Sequence, residues 1–263
     1  VVVALIIGAV AVAVFNPLVA ATSKTYDRLN AARGQSDGAV MSVSADGLWM
    51  RQGSADGQSV IKAQRSAPDG SVLYEVTVLS FAADGSLVER IEAASARLEP
   101  GAWVLSGAKR WALAQANPEQ SATATGDDLR LPTDLTLDRI RDSFGAPSAI
   151  AFWALPSYIA GLERAGFSAR SYQVWFQMEL AQPLLLAAMV LIAAGFTMRH
   201  ARFGKTGQMV LLALLGGFLI FFLRNFAQVL GENGQIPVFL AAWSPPIAAA
   251  FLALGLLLHL EDG

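Results

Sequence analysis

Residues 208–260 read QMVLLALLGGFLIFFLRNFAQVLGENGQIPVFLAAWSPPIAAAFLALGLLLHL, two long apolar runs parted by the polar turn Gly231-Glu232-Asn233-Gly234-Gln235-Ile236-Pro237. At about 1.5 Å per residue the first run, 209–230, is long enough for a hydrocarbon core roughly 30 Å thick. The second, 238–260, is long enough too, although Pro245 and Pro246 remove two amide donors and predict a kink or break. A third apolar run, 180–198, precedes them. The chain therefore ends in a membrane block, and the polar middle has to be read against it.

Composition agrees. Of 263 residues 54% are hydrophobic and only 15% charged, and the charges concentrate between Lys24 and Arg170. That is two environments in one chain. A net charge of -2 offers no basic field to attract nucleic acid, so no nucleic-acid partner is expected. The absence of cysteine rules out a disulfide framework and is compatible with a periplasmic or a cytoplasmic domain.

The chain opens inside another apolar run. Val19-Ala20-Ala21 loosely matches a signal-peptide cleavage site, but no basic segment precedes it, so residues 1–22 are read as a transmembrane helix that begins before Val1. Beyond a polar exit and the loop 34–38 the period changes. Tyr74, Val76 and Val78 alternate with Glu75 and Thr77, and Asp56-Gly57, Asp69-Gly70, Asp84-Gly85 and Pro100-Gly101 fall at hairpin intervals. The reading for 23–150 is an antiparallel β domain with strands at 41–51, 59–66, 72–81, 87–98, 102–111 and 120–131, arranged as a sandwich or jelly roll with room for an apolar ligand. Residues 151–171 read as a short helix stopped by Gly166 and a linker, with Trp153 and Tyr158 at headgroup level. Further spans follow at 172–198, 208–230 and 238–260, joined by a loop at 199–207 and the turn 231–237, with a tail at 261–263.

Arg199, Arg202 and Lys205 place the 199–207 loop in the cytoplasm, since Glu232 is the only charge in the opposite turn. Counting alternately, the β domain lies outside the inner membrane, in the periplasm. Catalytic and metal residues are not found: Gly204-Lys205-Thr206 lacks the earlier glycine that a phosphate-binding loop requires, and neither His200 nor His259 has ligand partners at metal spacing. No cofactor is expected. Arg224, beside Phe221 and Phe222 and about two turns inside its span, and Glu179, at similar depth in the preceding one, are the informative charges. Arg224 has three destinations: snorkelling to the interface, a lipid phosphate, or an intramembrane ion pair with Glu179.

Gly47-Leu48-Trp49-Met50-Arg51-Gln52, then Ile91-Glu92-Ala93-Ala94-Ser95-Ala96-Arg97 and Trp103-Val104-Leu105, resemble the periplasmic domain of the lipopolysaccharide-export permeases LptF and LptG. Gly231 to Pro237, running into Leu240-Ala241-Ala242-Trp243-Ser244-Pro245, is similar to the LptG branch in particular, with LptF the close alternative. The resemblance implies a six-helix protein with a β-jellyroll between its third and fourth helices, this chain holding helices three to six. It implies an ABC transporter permease without catalysis of its own, working with an LptF-like permease, an LptB-like ATPase dimer and LptC-like and LptA-like periplasmic proteins. The substrate would be lipopolysaccharide, drawn from the inner membrane through the jellyroll. Arg224, Phe221, Phe222, Tyr74, Val76 and Val78 are then the candidate lipid contacts. The competing classes are a membrane-anchored sensor or assembly factor whose β domain binds protein, and a secondary transporter, which would show an internal repeat.

Overall fold

A computed structural model of the chain describes residues 1–32, 40–44, 47–54, 57–113, 122–124, 128–197 and 206–261. Its helices are α1 (Val2–Val10), α2 (Asn16–Ala32), α3 (Leu137–Ser143), α4 (Leu155–Arg164), α5 (Arg170–Thr197), α6 (Thr206–Glu232) and α7 (Val238–Glu261). Its strands are β1 (Val40–Ser44), β2 (Gly47–Ser54), β3 (Gly57–Ser66), β4 (Val72–Ala82), β5 (Leu87–Glu99), β6 (Ala102–Ser106), β7 (Lys109–Ala112), β8 (Thr123–Ala124) and β9 (Leu129–Pro132). They form two compact units: one of Val1–Lys24, Pro147–Pro156 and Arg170–Gly263, the other of Thr25–Ala146 and Ser157–Ala169.

In the helical unit, Val2–Ser23, Arg170–Phe196, Val210–Glu232 and Val238–Leu258 are each long and apolar enough to cross a membrane. The first joins α1 to α2 through a π-helical segment, Ala11–Phe15. Pro17 has no N–H to offer the carbonyl of Ala13, four residues back. That carbonyl instead accepts from Nε1 of Trp153 at 3.2 Å, while Oδ1 of Asn16 accepts from the amide of Phe152 at 2.9 Å. The defect thus becomes a docking point for the 3-10 turn Phe152–Ala154, whose Phe152 also stacks on Phe176 of α5. At the same end of α5, Arg170 donates from Nε to the carbonyl of Gly231 and from Nη2 to that of Ile236, both at 2.6 Å. A cation there satisfies the free carbonyls at the end of α6. Gly216 and Gly217 lie against Ile192, Phe196 and Met189 of α5. The expected break at Pro245-Pro246 does not occur, and α7 runs through both. Ala241 and Ala242, four residues before the prolines, pack against Val174 and Met178, so neighbouring helices hold the segment where its own hydrogen bonds lapse.

In the β unit the strands follow one another across the sheet: β1-β2-β3-β4-β5, then β6 and β7 end to end on β5, then β9 and β8 beyond them. This sequential order lacks the interleaving that two Greek keys give a jelly roll. The stretch 41–51, expected as one strand, is the hairpin of β1 and β2, and the strand expected over 102–111 is interrupted at Gly107.

That interruption belongs to a row. Following the register, Gly47, Gln64, Glu75, Ala94 and Gly107 stand side by side on consecutive strands. Three of the five have positive φ: Gly47 at 116°, Gly107 at 65°, and Glu75, at 54°, the one non-glycine among the described residues. The register survives the row, but the side-chain phase inverts. On β4, Leu73 is buried before it and Val76 and Val78 after it; on β5, Ile91 and Ala93 before and Ala96 after; on β3, Ile61 and Ala63 before and Ser66 after. A strand of unbroken period 2 would send these two sets to opposite faces. The sheet is creased, and the crease keeps apolar side chains on the same inner side of both halves.

The two halves close on each other. Gln52 of β2 donates from Nε2 to the carbonyl of Pro132 at 3.1 Å and accepts from Oγ1 of Thr133 at 2.7 Å. In a flat sheet β2 and β9 would stand five strand spacings, about 24 Å, apart. Helix α4 completes the unit: the carbonyl of Ala165 accepts from the amide of Ser66 at 2.7 Å, and Tyr158 donates its hydroxyl to the carbonyl of Phe144 at 3.0 Å. The helix stops at Gly166 as expected, with Phe167 N bonded to Leu162 O and Gly166 N to Glu163 O. In the β4–β5 turn, Ser86 donates its hydroxyl and amide to Oδ1 of Asp84, which holds that carboxyl below its usual range.

Candidate functional site

Register assigns the interior of the β unit row by row. Next to the crease lie Leu48, Ala63, Val76 and Ala93; then Met50, Ile61, Val78 and Ile91; then, farthest out, Gln52, Ser59, Ser80 and Glu89. The first two rows are buried and wholly apolar, and the third is polar. Leu73, Ala96, Trp103 and Leu105 supply buried apolar side chains from the other half. Trp103 is 1% exposed, and its Nε1 has no hydrogen-bond partner among the described residues. Glu89 of the polar row pairs with Arg110 of β7, which register sets beside Ile91. Such an interior suits hydrocarbon.

Of the three β-domain candidates, Val76 and Val78 are inside, each 1% exposed, and Tyr74 is outside at 41%. Alternation alone puts all three on one face. The inversion at Glu75 separates them and leaves Tyr74 on the outer face.

The helical unit holds a second cluster. The carboxyl of Glu179 on α5 is hydrogen-bonded by the side chain of Asn16 on α2 and lies within electrostatic reach of the Arg224 guanidinium on α6. All three residues are half-buried, whereas Phe221 and Phe222 are exposed on the helix surface. Near Glu179 along α5, Nε1 of Trp175 and Oε1 of Gln182 are buried without hydrogen-bond partners among the described residues. Asn16 was missed in the sequence, although a polar residue followed by proline inside an apolar run was a usable signal. Gln52 gave none, because its partners are about eighty residues away. The basic loop on which the orientation rests, including Arg199, His200, Arg202 and Lys205, lies outside the described residues.

A family model described as "Lipopolysaccharide export system permease LptF/LptG" matches residues 1–259. The chain is also similar to the "Lipopolysaccharide export system permease protein LptG" of Escherichia coli (strain K12) and to the protein of the same name in Escherichia coli O6:H1, 28% identical to each over 222 residues. The matched part is 81% of this chain and 58% of each relative, so the chain spans less than two thirds of the relatives it matches. With a family match from the first helix nearly to the end of the last, across four apolar helices and the antiparallel sheet between the first two, the chain belongs to the LptF/LptG family of lipopolysaccharide export system permeases.

Proposed function

We propose that the chain is the permease part of an LptG-like subunit of an ABC transporter in the bacterial inner membrane. It takes lipopolysaccharide from that membrane and passes its acyl chains through the β domain, which stands in the periplasm. The observation that carries this is the pair of apolar inward rows around Val76 and Val78, continuous across β2 to β5. Each methylene moved from water to such a surface gains about 0.8 kcal/mol, which an acyl chain needs outside the bilayer. The energy source lies in a partner, an LptB-like ATPase dimer, with an LptF-like permease completing the membrane pair and LptC-like and LptA-like proteins receiving the lipid. Glu179 and Arg224 form an intramembrane ion pair, a role that their electrostatic proximity on neighbouring helices favours over a lipid-phosphate role for Arg224. Phe221 and Phe222 contact lipid from the exposed face of α6.

The test is site-specific photocrosslinking in the reconstituted complex, with and without ATP, from Val76 and Val78, using Tyr74 as the outward control. ATP-dependent adducts between lipopolysaccharide acyl chains and the two inward positions are expected. Adducts to protein alone, with the ATPase active, would overturn the conduit and leave the β domain as a docking module.

A further inference from the structure

The outer face of the crossed β strands carries a charge pattern that the lipid path does not use. Register sets two adjacent rows on it: Trp49, Lys62, Thr77, Glu92 and Lys109, then Arg51, Val60, Leu79, Arg90 and Trp111. They hold four cations against one carboxylate, Glu92, with which Arg90 is ion-paired, and Arg51 donates to the side chain of Gln58; the net charge of the chain is -2. Asp69 and Asp84, by contrast, sit in turns, bonded to Ser71 and Ser86. The cations are not spread evenly. Arg51 and Lys62 stand on β2 and β3, Arg90 and Lys109 on β5 and β7, and β4 between them presents only Thr77 and Leu79. From Lys62 to Lys109 is three strand spacings, about 14 Å. Each group also carries an indole: Lys62 lies 5.1 Å over the Trp49 ring, and Lys109 and Arg90 lie 4.6 and 5.6 Å over that of Trp111.

We infer that this face binds the phosphorylated saccharide of the exported glycolipid, one anionic group at each cation pair and the sugar rings along the neutral strip between the two indoles. The inference rests on the permease reading, and it adds a headgroup site on the outer face to an acyl path on the inner one. Arginine and lysine suit phosphate oxygens, and flat rings beneath them offer an amphipathic surface to a sugar.

The experiment uses the full-length protein in nanodiscs of zwitterionic lipid. Its probes are deacylated lipopolysaccharide, which keeps the phosphorylated sugars and has no acyl chains, and the same material after phosphatase treatment. The phosphorylated probe is expected to bind with an affinity that falls as salt rises. Arg51→Gln with Lys62→Gln, and separately Arg90→Gln with Lys109→Gln, each weaken it at least tenfold, and the phosphatase-treated probe is insensitive to either pair. Val72→Ala with Arg97→Gln, on the other half of the sheet, is the control and leaves binding unchanged. No binding of the phosphorylated probe, or binding by both paired variants as tight as that of the unsubstituted protein, would overturn the site. Displacement of the probe by vesicles of anionic phospholipid would overturn it in favour of a membrane-facing surface. If ATP-driven export persists while the probe fails to bind, this site falls and the permease reading stands. If the complex neither binds nor moves intact lipopolysaccharide, the reading beneath it falls as well.

Discussion

At Glu75 the backbone enters the left-handed region, at a cost of about 1–2 kcal/mol for an L-residue, in the middle of a strand whose neighbours are extended. Replacing it with valine, which strand propensity would favour, is expected to lower stability by about 1–2 kcal/mol, because a β-branched side chain fits that region worst. Glu75→Asn should stay within about 0.5 kcal/mol. Denaturant midpoints of the detergent-solubilised protein separate the two. Nothing in the local sequence marks this residue: the alternation of Tyr74, Val76 and Val78 is unbroken as text, and only the paired inversions on β3 and β5 show why the chain pivots there. Glu179 and Arg224 were more legible, since an isolated charge in an apolar run demands a partner. Either Glu179→Arg or Arg224→Glu alone is expected to cost roughly 1–3 kcal/mol, below the figure for a fully buried pair, and the double exchange to restore most of it. No recovery in the double variant would place Arg224 elsewhere, on a lipid phosphate or at the interface.

Among the elements, the four spans could be read from length and hydropathy alone, because hydrocarbon tolerates little else. What could not be read was how their defects are repaired. Pro17 frees the Ala13 carbonyl, and the donor that satisfies it, Trp153, is 140 residues away in sequence. Trp153→Phe is expected to cost about 1 kcal/mol by leaving that carbonyl unpaired. Pro17→Ala, which restores a helical donor, should make the same Trp153 change nearly neutral. A thermal-melt double-mutant cycle measures the coupling, and additive effects would mean that the indole bond contributes nothing. Similar logic explains α7: proline signals a broken helix in water, but here Ala241 and Ala242 sit in a packed layer with Val174 and Met178, and tertiary contact prevails over local propensity.

At the scale of the whole molecule, composition and turn spacing disclosed a membrane protein with an inserted antiparallel β domain, and the family match agrees over residues 1–259. The folding of that sheet into two layers was not legible, because it depends on long-range register and on a closure between Gln52 and Thr133. Gln52→Ala removes both bonds to the last strand. It is expected to cost about 1–2 kcal/mol and to speed hydrogen exchange in β9 far more than in β4, since the inner strands remain paired on both sides. Uniform acceleration across the sheet would instead mean that the closure holds no separate part of the domain. The sequential pairing of the strands also bears on biogenesis. Strands β2 to β6 each find a partner in the segment made just before, so this part of the sheet can grow hairpin by hairpin while the chain is still emerging from ribosome and translocon, and β7 and β9 then return to β5 and β6. Only the pairing of β9 on β6 and the closing contact must await the last strand, and that strand is made before the span that follows the domain, so the sheet can be sealed before that span inserts.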